Sequence, residues 1–331
     1  MRLHDRLVSI LGRIRHDVAT QINEQAINDA CRQENYHWKE RLLNPTNTIH
    51  AFLLQVLNQN TALNDVPHRC QESFTGSAFC KARRRLPLGV FRRLLCRLAA
   101  TLLPDSGGDD AEPEGRWHGH RTFIMDGSSF SMPDTPELQA HFGQPGNQAQ
   151  GCGFPVAHLM VLFQAGTGLL REILTSPLRT HDMSQVPRLH EALQPGDIAL
   201  GDRGFCSYAH LALLSKKGVF GVFRIHQRRK VEFPDPGPSD AAAATGGGRL
   251  PRWLYRLGAR DQINAWLKPK KTPEWLTAAA YATLPASLVV RELRYPVERP
   301  GFRTKEVTLV TTLLEAELYP LLELAELYRQ R

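Results

Sequence analysis

The chain has 331 residues, a length sufficient for two or three domains with a substantial buried core. Its apolar runs are too short and too interrupted by charge for a membrane span, and its charged N-terminus does not have the pattern of a secretion signal. We therefore expect a cytoplasmic protein, and its formal net charge of +8 makes a polyanionic partner plausible.

Positive charge is concentrated in the first third of the chain. Residues 1–103 carry a net charge of +7, whereas residues 104–115 contain five acidic residues and no basic one. A basic segment of this size favours nucleic acid as the partner. Well-solvated basic helices would give the same composition, so charge alone leaves both interpretations open.

The six cysteines indicate neither a zinc site nor a disulfide framework. Their spacings are irregular, and none belongs to a CxxC pair. We expect reduced core thiols at Cys31, Cys70, Cys80, Cys96, Cys152 and Cys206.

Residues 1–103 are predicted to form a helical, DNA-binding domain. The first helix is indicated by an apolar stripe at Leu7, Ile10, Leu11, Ile14 and Val18. Further helices are predicted at residues 48–57, in a segment between a Ser77 cap and Pro87, and at residues 89–103.

The segment after Ser77 carries a cluster of basic side chains. Lys81, Arg83, Arg84 and Arg85 are candidates for DNA phosphate contacts, and one of the arginines is a candidate for reading a base edge. A plain solvated helix face is the alternative interpretation.

The pattern changes to that of an α/β core after an acidic linker. The linker is predicted at residues 104–120 and the core at residues 121–331. In chain order, the core elements are a buried strand at 123–126, a hairpin around residues 165–168, a helix with Val186, Leu189, His190 and Leu193 on one face, a buried strand at 197–202, a helix from a Ser207 cap to Gly218, and a strand at 219–225.

A β-rich insertion is predicted to interrupt the core at about residues 231–306. Its first part, residues 231–250, has the composition of a mobile loop. Trp253, Trp266 and Trp275 in or near its strands either pack or stack on an unpaired base.

A strand at 307–313 and a last helix complete the core. Pro320 opens that helix, which carries Leu321, Leu324, Ala325 and Tyr328 along one face. The fold class predicted from this order is α/β, with a mixed sheet and helices on its faces.

Two aspartates follow short apolar strands. Asp126 precedes Gly127, and Asp202 lies between Gly201 and Arg203. Ligands of open α/β sheets bind beyond the carboxyl ends of strands, and neighbouring strands lie about 4.8 Å apart. Two carboxylates at such positions would share a divalent cation, and oxygen ligands suit Mg²⁺ or Mn²⁺.

Other interpretations of these aspartates remain. An Asp-Gly pair after a strand is a common turn with no chemical role. Asp126 also resembles the nucleophile of a haloacid-dehalogenase-type phosphatase, but that family requires a second Asp at the position of Ser128. Arg203 either positions DNA or pairs with a core carboxylate, and Arg228, Arg229 and Lys230 are candidates for lining a DNA channel.

Several motifs together resemble the largest DDE transposase family of bacterial insertion sequences, family four, which has a Tyr-Arg-Glu-Lys signature. They are Asp126-Gly-Ser, the segment from Gly201 to Phe205, and the final residues from Tyr328 to Arg331. Residues 299–313 resemble the segment before that family's last catalytic helix, and residues 79–87 resemble its N-terminal DNA-binding region.

The resemblance implies a ribonuclease-H-like core, preceded by the helical domain and interrupted by the β-rich insertion. It further implies two Mg²⁺ or Mn²⁺ ions, terminal inverted repeats and target DNA as duplex partners, and a homodimer on DNA in the bacterial nucleoid. By position, Asp126 and Asp202 would be the first two catalytic, metal-binding carboxylates, and Tyr328 and Arg331 would contact DNA phosphate.

The resemblance also sets an expectation about the third carboxylate. In the family a Glu follows four positions after the residue that matches Arg331, on the same helix. We therefore expect a C-terminally truncated copy, in which Glu323 and Glu326 are solvated surface residues rather than replacements. An inactive DNA-binding remnant and a metal nuclease unrelated to transposition remain as alternatives.

Overall fold

A computed structural model describes residues 21–102, 116–146, 149, 153–180, 182–226, 229–233, 252–297 and 306–331. The stripe from Leu7 to Val18, residues 104–115 of the predicted linker and most of the 231–250 loop lie outside these ranges. The chain divides into two compact units, Met1–Gly108 and Asp109–Arg331.

The described part of the first unit is helical. Its helices are α1 (Glu24–Gln33), α2 (Pro45–Leu57), α3 (Val66–Cys70), α4 (Gly76–Arg85) and α5 (Leu88–Leu102). Helix α4 is capped by the Thr75 side chain, which accepts from the backbone N–H of Ala78 at 3.1 Å, so the predicted cap at Ser77 was wrong by two residues. Ile27, Ile49, Val90 and Leu94 form one buried cluster between α1, α2 and α5.

The second unit is built on one mixed sheet. Its strands are β1 (Arg116–Trp117), β2 (His120–Ser131), β3 (Val156–Gln164), β4 (Leu170–Pro177), β5 (Ile198–Gly201), β6 (Phe220–Arg224), β7 (Arg252–Gly258), β8 (Asp261–Leu267), β9 (Ser287–Pro296) and β10 (Glu306–Thr311). The strand order is β4-β3-β2-β5-β6-β10-β9-β8-β7, and β1 pairs with the start of β2.

The sheet combines antiparallel and parallel pairing. Strands β2, β3 and β4 form an antiparallel meander, whereas β2, β5 and β6 are mutually parallel. Strands β7 to β9 of the predicted insertion return to β6 through antiparallel β10, so they extend the same sheet. The predicted mixed sheet with flanking helices is confirmed.

Helices cover both faces of the sheet. The helices of this unit are α6 (Pro136–Phe142), α7 (Asp182–Leu189), α8 (Tyr208–Lys216), α9 (Ala278–Ala282) and α10 (Leu321–Arg329), with a 3₁₀ turn at His190–Ala192. Side chains of α7 and α8 pack with Phe123, Met125 and Phe223 on one face. Helix α10 packs with Leu200, Val222 and Leu309 on the other.

Two buried ion pairs fasten the sheet to its loops. Arg121 binds Asp197 through two hydrogen bonds of 2.8 Å. Arg291 of β9 binds Asp261 of β8 at 2.8 and 2.5 Å, and its third nitrogen donates to the Tyr319 carbonyl at 2.7 Å. The second pair therefore links the inserted strands to the segment that leads into α10.

Candidate active site

The sheet register places Asp126 and Asp202 side by side. In the parallel pair of β2 and β5, Phe123 is level with Ala199 and Ile124 with Leu200. Continuing this register by two residues brings Asp126 level with Asp202, which directly follows β5. Because side chains alternate between faces, both carboxylates belong to the face that carries Ile124, Leu200 and α10.

Asp126 lies inside a strand and not in the predicted turn. Strand β2 continues to Ser131, and Asp126 pairs with Val161 while Gly127 pairs with Met160. The strand extends because the β2–β3 hairpin still pairs where β5 has ended. Because β5 ends at Gly201, the last part of β2 has no neighbouring strand on the β5 side, and residues 126–131 are exposed.

A tight turn holds Asp202 at the end of β5. Its Oδ1 accepts from the backbone N–H of Gly204 at 2.7 Å. Two glycines make this turn possible: a Cβ at Gly204 would lie 2.9 Å from Asp202 Oδ1, and one at Gly201 would lie 2.7 Å from the Phe223 ring. Close packing therefore requires the two glycines of the sequence Gly-Asp-Arg-Gly.

The donor set fits a hard divalent cation. Asp126 Oδ1 accepts only from the Gly127 N–H at 3.0 Å, and Asp202 Oδ1 from Gly204, so each Oδ2 is without a hydrogen-bond partner among the described residues. Carboxylates that lie level with each other on neighbouring strands would repel each other unless a cation lay between them. Within the described ranges, however, no three His, Cys, Asp or Glu side chains form a metal-binding group.

The last helix brings Tyr328 and Arg331 to the same face. Tyr328 is 7% exposed, and its ring packs with Leu324 and Tyr295 in the core under α10. Its hydroxyl accepts from Arg331 Nη1 at 2.9 Å. Burial raises the pKa of Tyr328, and the negative charge of Asp202 raises it further. The positive charges of Arg331 and Arg224 act in the opposite direction and lower it. The phenol therefore lies within electrostatic range of the Asp202 carboxylate.

The start of α10 is held by a cluster of aromatic and histidine side chains. Trp117 stacks on Tyr319 with ring centroids 5.6 Å apart, and His120 Nε2 lies 2.9 Å from the Tyr319 hydroxyl. His118 Nε2 lies 2.5 Å from a Glu323 carboxylate oxygen. Glu323 and Glu326 are exposed, and Glu326 pairs with Arg329 at 2.7 Å. As predicted, both glutamates are surface residues.

Arg224 forms a row with Asp126 and Asp202 on the neighbouring strands. Its place in this row was not predicted from the sequence. It ends β6, where Gly201 is level with Phe223, so the next position puts Arg224 level with Asp202. Among the described residues its guanidinium has no hydrogen-bond or ion-pair partner. Burial raises the pKa values of Tyr295 and Tyr328, and the positive charge of Arg224 offsets part of that rise. The available signal was an arginine ending an apolar strand that follows the Asp202 strand.

A basic pocket of about 150 Å³ adjoins Arg224 at the end of β6. Arg203, Arg229 and Arg294 line it, with Glu306 as its one acidic side chain among the lining residues. Arg294 is held by Thr308 at 2.9 Å and by the Val231 carbonyl at 2.8 Å. Such a pocket is suited to a phosphate group.

Arg229 also has a packing role. Its guanidinium lies 3.7 Å from the centroid of Trp266, and burial lowers its pKa while Glu292 raises it. Trp266 is 1% exposed and donates to Glu292 at 2.7 Å, which identifies it as a core residue and not a stacking platform. Trp253 and Lys230 are exposed, and Arg228 lies outside the described residues.

The basic residues of α4 differ in their surroundings. Lys81, Arg84 and Arg85 are exposed. Arg83 is half-buried, donates to Gln55 at 3.0 Å and lies over the rings of Phe52 and Phe79. Arg83 thus joins α4 to α2, and its predicted DNA contact remains a prediction.

A buried histidine pair supports the Asp202 turn. His210 Nδ1 lies 2.7 Å from the carbonyl of Phe205, so this nitrogen carries the proton and its Nε2 accepts from His190 Nε2 at 3.0 Å. Burial lowers the pKa of His190 to about 2 and that of His210 to about 4. Both rings are therefore neutral in the folded protein at neutral pH.

This pair predicts a loss of stability in acid. Below pH 6.5 the unfolded chain takes up protons that the folded pair does not, so the free energy of unfolding falls by about 1 kcal/mol per histidine at pH 5.5. Urea unfolding at pH 7.5 and 5.5 measures this difference. The variant His190→Gln should show a smaller pH-dependent loss than the parent chain, and an equal loss would contradict the assignment.

The chain is similar in sequence to one known protein family and to individual proteins. The family described as "Transposase DDE domain" matches residues 117–331. "Putative transposase InsZ" of Escherichia coli K12 is 27% identical over 251 residues, covering 72% of this chain and 78% of its own length. "Transposase InsG for insertion sequence element IS4" of the same strain is 22% identical over 255 residues, covering 77% of this chain but 50% of its own length.

Solved structures give a weaker likeness. The "Mos1 transposase paired-end complex with left transposon end" is 12% identical, with 56% of this chain and 60% of that chain covered. The "Crystal structure of a pre-cleavage Mos1 transpososome" is also 12% identical, with 55% and 60% covered. Both have a TM-score of 0.21, which is too low to support an argument. In the described ranges, no helix has the length and apolar character to cross a membrane.

Proposed function

Because this chain belongs to the DDE transposase family, we propose that it cleaves DNA at the ends of an insertion sequence and joins those ends to target DNA. The observation that carries the proposal is the row of Asp126, Asp202 and Arg224 on neighbouring parallel strands, all on the face covered by α10. The strand order, with an antiparallel meander beside two parallel strands, fits the ribonuclease-H-like core that the sequence resemblance implies.

Asp126 and Asp202 would hold the divalent metal, Mg²⁺ or Mn²⁺, through their Oδ2 atoms. When bound, two such ions activate a water or a 3′-hydroxyl and stabilise the leaving oxygen of a phosphodiester. The turn at Gly204 fixes the Asp202 carboxylate through Oδ1, which keeps its other oxygen directed away from the backbone. The chain thus supplies a rigid, negatively charged pair that requires a cation.

The positive side chains beside this pair would bind the scissile strand. Arg224 and the pocket with Arg203 and Arg294 place three guanidinium groups at the end of β6. Arginine binds phosphate through paired N–H donors, so this pocket would hold a DNA phosphate next to the carboxylates. Arg331, tethered to the Tyr328 hydroxyl, would contact the backbone from the α10 side.

The finer assignment is to the insertion-sequence family four type. The motifs at Asp126, Asp202 and Tyr328 support it, together with the likeness to the IS4 transposase. On this proposal the partners are terminal inverted repeats and target DNA, and the DNA-bound form is a homodimer. The N-terminal helical unit, with exposed Lys81, Arg84 and Arg85, would bind the repeats.

An end-cleavage assay tests the proposal. The 331-residue protein is incubated with Mn²⁺ and labelled duplex carrying the terminal repeats that flank its gene, with and without a target plasmid. The pair of Asp126 and Asp202 would hold Mn²⁺ without the third carboxylate that the resemblance implies, so we expect nicks at the repeat ends and, with the plasmid, joined products. Nicking without any joined product would favour a metal nuclease unrelated to transposition, and repeat binding without nicking would favour a DNA-binding role alone.

Removing Arg224 should slow cleavage strongly. The variant Arg224→Ala loses a guanidinium in the row with Asp202, so we expect the cleavage rate to fall roughly 10- to 100-fold. We also expect the slope of the logarithm of the DNA-binding constant against the logarithm of the salt concentration to become shallower by about one. The matched control is Arg188→Ala, which removes an exposed arginine from α7 on the opposite face. Equal rates for both variants would contradict the role of Arg224.

A further inference from the structure

A second pocket lies within the N-terminal unit. It has a volume of about 250 Å³ and is enclosed by residues 36–45, the first turn of α2 and the end of α4. Three of its lining residues, Ala82, Arg85 and Leu86, lie in the 79–87 segment. All of its lining residues belong to the first unit, whereas Asp126 and Asp202 belong to the second.

Aromatic rings form one wall of this pocket. Tyr36 and Trp38 are half-buried and stacked, with centroids 6.3 Å apart and planes 19° from parallel. They rest against the buried cluster of α1, α2 and α5 and also line the pocket. Glu40 accepts from Trp38 Nε1 at 2.8 Å and from Asn44 at 3.2 Å, so the indole is fixed in place.

Four basic side chains also line this pocket. His37, Lys39, Arg41 and Arg85 surround the aromatic wall, and none of the lining residues is acidic. Pro45 and Thr48 add the N-terminal turn of the 13-residue helix α2, which has no acidic side chain to neutralise its positive end. The pocket therefore combines π faces with an environment suited to an anion.

We propose that this pocket binds one nucleotide of an unpaired DNA strand, with its base against the Tyr36–Trp38 wall and its phosphate against Arg85 and its basic neighbours. Duplex DNA keeps its base faces stacked, so only an unpaired base can present one to an aromatic ring. A concave site with aromatic and cationic walls therefore fits a single-stranded segment better than a duplex backbone. The choice of DNA as ligand rests on the proposed function.

Two exposed arginines provide a matched test. Binding of a fluorescein-labelled (dT)12 strand and of a 12-base-pair duplex to the full chain is measured by anisotropy in EDTA. Arg85 lines the pocket, whereas Arg97 of α5 is equally charged and exposed but is absent from the lining. We expect Arg85→Ala to weaken (dT)12 binding at least fivefold, and more than it weakens duplex binding, whereas Arg97→Ala should change either affinity less than twofold.

The aromatic wall is tested separately. Trp38→Leu should weaken (dT)12 binding at least fivefold, while Trp38→Phe, which keeps a ring, should stay within about twofold to threefold of the parent chain. Circular dichroism of each variant confirms the helical content. If Trp38→Leu is folded and binds normally, the base-stacking role is wrong.

Two results would overturn the proposal. Equal losses for Arg97→Ala and Arg85→Ala would show a general basic surface, and displacement of (dT)12 by poly-glutamate at matched charge would show a site for any anion or acidic peptide. Because EDTA removes divalent metal, these measurements do not depend on Asp126 and Asp202. If (dT)12 does not bind the pocket, the cleavage proposal is unaffected. If cleavage is absent but (dT)12 binding is normal, the proposal for this pocket is unaffected.

Discussion

Replacing Asp202 by Asn should abolish Mn²⁺-dependent cleavage while leaving the fold intact. Asparagine retains the oxygen that accepts from the Gly204 N–H at 2.7 Å, so the turn after β5 survives. It removes the negative charge that the metal requires, and we expect a fall in cleavage rate of roughly 10³-fold or more, with Asp126→Asn giving a similar loss. The rate is measured on labelled repeat ends under single-turnover conditions.

The control for this prediction is Asp134→Asn. Asp134 is exposed in the loop after β2 and accepts from Gln139 at 2.8 Å, outside the row of Asp126 and Asp202. Its replacement should leave the rate within about twofold of the parent. A cleavage rate for Asp202→Asn near that of the control would remove Asp202 from the active site.

The second large effect concerns stability. Asp261→Ala leaves Arg291, which is 1% exposed, as an uncompensated charge in the core. We expect a loss of about 3–5 kcal/mol in the free energy of unfolding. Because Arg291 also donates to the Tyr319 carbonyl before α10, the damage should reach the last helix. Urea unfolding followed by circular dichroism measures the loss.

An exposed ion pair in the same sheet is the matched comparison. Arg260 and Glu306 lie 2.9 Å apart, with side chains 50% and 44% exposed. Breaking this pair with Glu306→Ala should cost less than about 1 kcal/mol, because water already solvates both groups. If the Asp261→Ala and Glu306→Ala losses are equal, the buried pair does not fasten the inserted strands as described.

Local signals made several elements predictable. Ser207 caps α8 through the backbone N–H of His210, and the apolar run before Asp202 forms β5 with all four residues buried. Pro320 precedes α10, whose buried positions include Leu324, Ala325 and Tyr328 as predicted. These features depend on neighbours in sequence, so the chain alone carries enough information to locate them.

Features that depend on pairing between distant segments were not predictable. The turn expected after Asp126 is replaced by a strand because β3 supplies pairing partners up to Ser131, and these partners lie 25 to 35 residues later in the chain. Arg224 acquires meaning only from the register of β5 and β6, which places it level with Asp202. Likewise, the sequence indicates strands after residue 250 but not that β10 joins them to the same sheet.

The central claim is that Asp126 and Asp202 share a metal, and Mn²⁺ binding to the full chain tests it most directly. Free Mn²⁺ is measured by electron paramagnetic resonance for the parent, Asp126→Asn, Asp202→Asn and the double variant. A shared site predicts that each single variant loses most of the binding affinity and that the double variant loses little more. Unchanged Mn²⁺ affinity in either single variant, or independent, additive losses, would contradict a shared metal site.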